Sequence, residues 1–218
     1  KANNLAIERS TAKYCFLLNP DTLLINNAIK IFYSFMQMPE SKNIACCGGS
    51  IYDQFMTPRV AYGHSPTIMQ IIYELGLKHI FRMHFKRNIS LTCVNEDNFI
   101  KEVDYVTGAA IFIRKSALKE VGFLDEDFFM YFEETELCHR LRRSGWKCVI
   151  LPEAKIKHLV GQSIESFSDR YIALSQRSKY LFYKKCYGLI PMYLARFLYA
   201  IKYLITFIIK RNNIHKKM

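Results

Sequence analysis

The sequence predicts an α/β layered domain followed by a cationic helical tail. Short apolar runs that end at proline or glycine alternate with segments whose apolar residues recur at helical spacing, which is typical of layered α/β domains. The chain has 218 residues, of which 50% are hydrophobic and 23% charged, so it can bury a substantial core. This length suits one domain with an appendage, and no internal repeat is evident.

The first predicted strand covers residues 13–18, where an apolar run ends at Asn19-Pro20. The residue before a proline favours extended geometry, so the strand is expected to stop there. Asp21 or Thr22 can then cap a helix over residues 23–36.

A second buried strand is predicted over residues 44–51, with a close turn at Gly48-Gly49. Residues 52–98 show only weak periodicity. We interpret them as an excursion over one edge of the domain, with a helix near residues 67–81.

The elements after residue 100 carry clearer signals, because glycines and prolines punctuate them. They begin with a strand over residues 101–114, interrupted at Gly108, a short helix over residues 116–121 and an aromatic and acidic loop over residues 123–132. A second helix over residues 133–144, two short strands around Pro152 (residues 147–151 and 155–159) and a basic helix over residues 168–185 follow.

Charge is distributed unevenly along the chain. Residues 1–138 carry 14 basic and 16 acidic side chains, whereas residues 139–218 carry 17 and 3. A net charge of +14 in the second part predicts a polyanion or an anionic membrane surface as its partner. We expect no nucleic acid partner, because apolar residues dominate the end of the tail and no nucleic-acid-binding motif accompanies them.

The end of the tail, residues 192–209, is apolar with Arg196 and Lys202 embedded in it. Its longest uncharged run, residues 203–209, is far shorter than the roughly 18–20 residues that span a bilayer. The segment either lies in a membrane interface with its cations reaching the headgroups, which we favour, or packs on the domain.

The cysteine pattern favours a reducing compartment. The chain has seven cysteines, an odd number, and no pair has C-x-x-C spacing. Several lie in apolar runs, where a reduced thiol behaves as a small core residue. The first ten residues are polar and show no signal peptide, so we expect a cytoplasmic protein that is peripheral on the inner face of the cell membrane.

Two acidic groups are candidates for chemistry, and each has a structural alternative. Asp21 follows a strand, where it can bind a divalent cation or simply cap the next helix. Glu133 and Glu134 begin a helix behind aromatic residues. They can stabilise the helix dipole, while Glu136 pairs with Arg140, or one of them can act as a base whose pKa is raised by apolar surroundings.

Small and imidazole side chains supply further candidates. Gly108 and Ala109 within a strand would let a ligand approach the backbone closely. His158 at a strand end is either a structural residue or a ligand for a metal or phosphate.

In order along the chain, these pieces resemble the inverting family-2 glycosyltransferases of the GT-A fold, especially the rhamnosyltransferase-like members. The matching stretches are NNLAIERS, YCFLLNPDTLL, and the long run that begins VDYVTGAA, contains EETELCHRL and ends KHLVGQS. The resemblance implies a GT-A mixed sheet flanked by helices over residues 1–165. Residues 166–218 would form a membrane-associated tail.

The resemblance also implies roles for the candidate residues. Asp21 and His158 would bind Mg²⁺ or Mn²⁺, although Asn19 stands where relatives have the first acid of Asp-x-Asp. Glu134 would be the catalytic base, with Glu133 as the second candidate. The substrate-binding residues would be Asn19, Gly108, Ala109 and Arg140.

The implied reaction is metal-assisted single displacement in cell-surface polysaccharide synthesis. A sugar such as rhamnose or another deoxyhexose would pass from a nucleotide-sugar donor to a saccharide or lipid-linked acceptor. Family members begin with βαβ units that hold the nucleotide, and these are expected to be missing here. The alternative is therefore a truncated non-catalytic remnant or a membrane-associated accessory module.

Overall fold

A computed structural model describes residues 1–76, 93–94, 98–159 and 169–215 of the chain. The chain forms two compact units, one of Lys1–Ser65 with Ser90–Ser178 and one of Pro66–Ile89 with Lys179–Met218. The predicted boundary at residue 165 stays a prediction. Residues 77–81 of the predicted helix and residues 160–163 of the quoted run lie outside the described residues.

The first unit is a mixed sheet with helices, as the sequence predicted. Its helices are α1 (Ala2–Arg9), α2 (Ala28–Gln37), α4 (Lys115–Val121), α5 (Glu133–Arg143) and the start of α6 (Asp169–Tyr187), while α3 (Ile68–Glu74) and α7 (Leu189–His215) belong to the second unit. Its strands are β1 (Tyr14–Leu18), β2 (Thr22–Leu24), β3 (Ile44–Tyr52), β4 (Pro58–Gly63), β5 (Cys93–Val94), β6 (Lys101–Val103), β7 (Tyr105–Val106), β8 (Ala110–Arg114) and β9 (Lys147–His158).

Strand pairing is antiparallel except at the centre. The order β1-β8-β3 is antiparallel throughout, β3 pairs with β9 in parallel, and β9 also pairs with β2 and β6. The predicted strand over residues 101–114 is three short strands in the structure, because the chain turns between β7 and β8 at Thr107.

Two glycines in β3 allow close approach rather than the predicted turn. A β-carbon on Gly49 would lie 2.2 Å from the Ala154 carbonyl oxygen, and one on Gly48 would lie 2.3 Å from Val106 Cγ1. Opposite Gly49, the register shifts so that residues 152–154 bulge from β9. The two predicted strands around Pro152 are therefore one strand, since a bulge tolerates a proline that donates no hydrogen bond.

The predicted helix over residues 23–36 begins later than expected. Thr22 donates its amide and hydroxyl hydrogens to the Asn19 carbonyl, and the following residues form β2 against β9. Asn27, rather than Asp21 or Thr22, caps α2 by accepting a hydrogen bond from the Lys30 amide at 3.1 Å. The distant β9 strand thus overrides the local helical pattern.

The sheet is covered on both faces. Phe112 of β8 stacks on Phe32 of α2, with 5.7 Å between ring centroids. Ile111 and Ile113 point to the other face, where they share a pocket wall with Leu137 of α5. This alternation places α2 and α5 on opposite faces of the sheet.

The described residues of the second unit are mainly helical. On α7, Met192, Ala195 and Tyr199 are buried in a cluster with Ile71 of α3 and Tyr183 of α6. A 20-residue stretch of α7, Leu189–Ile208, has a mean hydropathy of 1.2, and only 17% of it is buried. By length and composition this helix could cross a membrane. The sequence instead predicts a helix in the membrane interface, because the longest uncharged run of this segment is short.

Candidate active site

One pocket gathers four of the predicted site residues. It has a volume of about 160 Å³ and lies between the end of β1, the turn before β8, and the start of α5. Asn19, Gly108, Glu133 and Glu134 line it, together with apolar side chains from β1, β8 and α5. Residues more than one hundred positions apart in sequence therefore meet at one concave surface.

The backbone is strained where it enters α5. Tyr131 and Phe132 both have positive φ angles, 65° and 70°, and neither is glycine. Such conformations cost about 1–3 kcal/mol each and persist where the surrounding structure imposes them. They direct the first turn of α5, and thus Glu133 and Glu134, into the pocket.

The carboxyl group of Glu134 lies against Gly108. Desolvation by burial raises the pKa of Glu134 to about 8, and the adjacent Glu133 carboxylate acts in the same direction, while the Gly108 backbone N–H acts to lower this pKa. The residue keeps some exposed surface, while its carboxyl group lies among protein atoms. This environment produces a carboxyl group that exchanges its proton near neutral pH.

Glu133 faces the same pocket with an unused acceptor. Burial raises its pKa, and its Oε2 atom is buried without a hydrogen-bond partner in the described structure. A buried acceptor of this kind is costly unless a ligand donates to it. The pocket is therefore suited to a molecule that carries a hydroxyl group.

Asp21 and His158 form a pair of their own beside this pocket. Asp21 follows Pro20, which lines the pocket, and its Oδ1 atom lies 3.2 Å from His158 Nε2. The two side chains are each 19% exposed. Backbone pairing fixes them, because Thr22 is the register partner of His158 and the Leu159 amide donates to the Asp21 carbonyl at 2.8 Å.

This pair fits two ligands of one divalent cation. Adjacent ligands at about 2.1 Å from a six-coordinate ion lie about 3.0 Å apart, close to the observed separation. A carboxylate oxygen and an imidazole nitrogen are also ligand types that such ions accept.

Ala109 and Arg140 lie outside the pocket lining. The Ala109 carbonyl accepts a hydrogen bond from the Asn19 amide at 2.9 Å and so fixes the turn that carries Asn19. All five N–H groups of Arg140 are used within the protein, by the Glu136 carboxylate and by three carbonyl groups in residues 121–123. Both residues therefore hold the backbone around the site in place, and their predicted contact with substrate stays a prediction.

Two polar features were not singled out from the sequence. Asn3 lines the pocket, and its only signal was its place in the NNLAIERS stretch. The Asp104 carboxylate accepts a hydrogen bond from the Ser65 amide and forms ion pairs with His64 and Arg142. Its position between two short strands gave no sequence signal.

A family model and two curated proteins are similar to this chain. Residues 17–210 match the family model described as Glycosyl transferase family group 2. The N-acetylglucosaminyl-diphospho-decaprenol L-rhamnosyltransferase of Mycobacterium tuberculosis is 33% identical over 82 residues, which are 38% of this chain and 27% of that protein. The low-salt glycan biosynthesis hexosyltransferase Agl10 of Haloferax volcanii is 42% identical over 50 residues, 23% of this chain and 16% of its own length.

Two solved structures are also similar. The crystal structure of GalNAc-T7 with UDP, GalNAc and Mn²⁺ has a TM-score of 0.49 at 14% identity, and covers 84% of this chain and 36% of its own. The crystal structure of A197 from STIV has a TM-score of 0.42 at 13% identity, with 73% and 64% covered. Because the family model spans most of the sequence, this chain belongs to glycosyl transferase family group 2.

Proposed function

We propose that this chain carries the acceptor-activating part of an inverting sugar-transfer site. The observation that supports it most directly is the pair of carboxyl groups, Glu133 and Glu134, at the start of one helix in a pocket shared with Asn19 and Gly108. The donor would be a nucleotide-sugar. Its sugar would be rhamnose or another deoxyhexose, and the acceptor a saccharide or lipid-linked saccharide of cell-surface polysaccharide synthesis.

In this proposal Glu134 is the base. Its carboxylate takes the proton of an acceptor hydroxyl, whose oxygen forms a bond to the anomeric carbon of the donor sugar. The bond from that carbon to the diphosphate oxygen breaks in the same step, and the nucleoside diphosphate leaves with the electron pair. A pKa of about 8 suits this role, because a base works best when its pKa lies near the operating pH.

Glu133 and the small residues orient the acceptor in this scheme. The unpartnered Oε2 of Glu133 would accept a hydrogen bond from a second hydroxyl of the sugar. Gly108 leaves the face of the Glu134 carboxyl open to the acceptor. Asn19, on the turn fixed by Ala109, would donate its amide hydrogens to substrate oxygen atoms.

Asp21 and His158 would bind a divalent cation, Mg²⁺ or Mn²⁺. When bound, such an ion offsets the negative charge of a diphosphate leaving group. The imidazole ligand favours Mn²⁺ over Mg²⁺, since Mg²⁺ prefers oxygen ligands.

The relatives support the sugar class and the type of acceptor. One is named as a rhamnosyltransferase for a diphospho-decaprenol-linked sugar and the other as a hexosyltransferase. The match spans 27% of the mycobacterial protein, so the activity of this chain needs its own test.

The test is sugar transfer by the chain, with nucleotide-linked deoxyhexoses as donors. Glu134→Gln should lower turnover by about 10²–10⁴-fold, the usual contribution of a positioned base. Glu8→Gln, an exposed residue of α1, is the control that should leave turnover unchanged. Absence of donor binding and turnover would favour a non-catalytic accessory module instead.

We also propose that α7 lies on an anionic membrane surface. Ten large apolar side chains in the described part of α7 are exposed, and they cover an arc of about 200° around the helix on the side away from the packed residues: Leu189, Ile190, Tyr193, Leu194, Phe197, Tyr203, Leu204, Ile205, Phe207 and Ile208. Both embedded cations are held inside the second unit, since Lys202 pairs with Glu74 and Arg196 lies over the Tyr180 ring. An apolar stripe with a net positive charge nearby suits an in-plane helix on anionic lipids.

Vesicle sedimentation tests this membrane proposal. The chain should bind vesicles that contain phosphatidylglycerol more tightly than neutral phosphatidylcholine vesicles, and Phe197→Asp should weaken binding. Ile172→Asp, at an exposed apolar site on α6, is the matched control. Resistance to alkaline carbonate extraction would instead indicate a membrane-spanning helix.

A further inference from the structure

Three cysteine side chains meet in the interior of the first unit. The sulfur atoms of Cys46, Cys138 and Cys148 all lie within 4.8 Å of one another, and all three residues have 0% exposure. The Cys46 and Cys138 sulfurs are 3.9 Å apart. The candidate sugar-transfer mechanism uses none of them.

The fold brings these cysteines together from three elements. Cys46 of β3 and Cys148 of β9 are register partners on adjacent parallel strands, so their side chains point to the same face of the sheet. Cys138 reaches them from α5, which covers that face. Cys47, the next residue of β3, points to the opposite face and lies in register with Phe112.

The sulfur spacing matches a three-coordinate metal. With metal–sulfur bonds of about 2.3 Å, three sulfurs in a trigonal plane lie about 4.0 Å apart. The observed separation of 3.9 Å between two of the sulfurs equals this value within the spread of side-chain rotamers. The third sulfur, of Cys148, lies within 4.8 Å of both.

We propose that Cys46, Cys138 and Cys148 form a trigonal binding site for a soft monovalent cation, Cu(I). Thiolates are soft ligands that select Cu(I), zinc or iron–sulfur clusters. Structural zinc is almost always tetrahedral, and within the described residues no fourth histidine, cysteine or carboxylate joins this group. The sulfurs are also closed to water, so a fourth aqueous ligand has no direct access.

Binding of the ion would release the thiol protons. As each Cu–S bond forms, the S–H proton of that cysteine would leave to solvent, so copper stays Cu(I) and no sulfur is oxidised.

A bound ion would join α5 to the two central strands of the sheet. Cys138 is one helical turn beyond Glu134, so the ion would hold the helix that carries both pocket carboxylates. Because the sulfurs are buried, the ion would enter during folding or through local opening of α5.

The test uses the full chain with Cys93→Ala and Cys186→Ala, which removes two other thiols that could bind copper. The protein is refolded without oxygen in the presence of Cu(I) and a competing chelator, and native mass spectrometry gives the copper content. We expect one Cu(I) per chain and sulfur-only coordination in the X-ray absorption spectrum.

Cys138→Ser and Cys148→Ser should each lower the Cu(I) affinity by at least about 100-fold. Loss of supporting residues around a metal already costs about 10–100-fold, and these substitutions remove a direct ligand. Cys47→Ser, an equally buried cysteine on the opposite face, should keep the affinity of the parent.

Thermal unfolding separates ligand loss from misfolding. Each variant must show a cooperative transition without copper, and copper should raise the Tm of the parent and of Cys47→Ser only. Equal Cu(I) affinity in Cys138→Ser and the parent, or failure of the folded parent to take up one equivalent, would overturn the proposal.

Discussion

Gly108 lies against the carboxyl group of Glu134, so that a β-carbon on the glycine would come within 3.4 Å of the glutamate Cδ atom. That is ordinary van der Waals contact, and Gly108 is not among the residues with positive φ. Gly108→Ala should therefore fold with a free energy of unfolding within about 0.5 kcal/mol of the parent. The added methyl group excludes water from Glu134, so the pH midpoint for activity should move upward. Chemical denaturation and a pH–rate profile check both parts.

Gly49→Ala is the contrasting substitution. Its β-carbon would lie 2.2 Å from the Ala154 carbonyl oxygen, which belongs to the backbone and cannot turn away. We expect a loss of about 1–3 kcal/mol in the free energy of unfolding, the usual cost of overpacking. Gly108→Ala is the control for substitution as such, because its β-carbon would meet only ordinary van der Waals contacts and the residue is not among those with positive φ. A fully stable Gly49→Ala would contradict the close packing of β3 on the β9 bulge.

The pH dependence of stability follows from Glu134. Its pKa of about 8 in the folded chain lies above the unfolded value of about 4.3, so folding favours the protonated form. The contribution to stability is present below about pH 4.3 and is lost as the pH rises toward 8. Relative to the parent, Glu134→Gln should gain free energy of unfolding steadily between pH 5 and pH 8. Denaturation at several pH values measures this, and a pH-independent difference would contradict the raised pKa.

Activity should have the opposite pH dependence. If Glu134 is the base, kcat/KM rises with pH and levels off above an apparent pKa near 8 that belongs to the Glu133 and Glu134 pair. Glu133→Gln removes the negative charge beside Glu134, so the rise of kcat/KM should occur at lower pH while activity is kept. If Glu133→Gln loses turnover and Glu134→Gln keeps it, Glu133 is the base and Glu134 is not.

The pair of Asp21 and His158 makes a metal-specific prediction. After treatment with EDTA, His158→Ala and Asp21→Asn should need at least about 10-fold more Mn²⁺ for half-maximal activity, since each removes one ligand. His64→Ala is the matched control, because His64 also pairs with an aspartate, Asp104, at 3.6 Å. Equal metal requirements in all three variants would contradict the proposed site.

The strained entry to α5 predicts a stabilising substitution. Tyr131 has a φ of 65° and is 39% exposed, so Tyr131→Asn would relieve backbone strain with little loss of packing. We expect a gain of about 0.5–1 kcal/mol in the free energy of unfolding. Phe129→Asn, at a 77% exposed position that is not among those with positive φ, should give no gain. Thermal melts distinguish the two.

Elements with strong local signals could be predicted from the sequence. The strand before Pro20 and the helices that end at Gly122 and Gly145 appear where the pattern placed them. The predicted helix start at residue 23 was wrong, because β2 gains hydrogen bonds from β9, more than one hundred residues away. The predicted turn at Gly48-Gly49 was wrong for the same kind of reason, since the atoms those glycines admit come from distant elements.

The site shows the same division. The types of residue identified Asp21, Glu133, Glu134 and His158 as candidates with structural alternatives, and the family resemblance gave them roles. Their grouping in space depends on the topology of the sheet. The Cys46, Cys138 and Cys148 cluster could not be predicted, because the sequence spacing of these cysteines matches no metal-binding motif. Contacts between distant segments carry no local periodicity, so these features required the three-dimensional structure.

The contact between Asp21 and His158 forms only in one register of β2 on β9. Side chains alternate between the two faces of a strand, so a slip of a single residue would send the imidazole to the far side of the sheet. Deleting one residue between Glu153 and Lys157 would therefore abolish the pair outright. Insertions and deletions in this stretch of β9 should be far less tolerated than most single substitutions there.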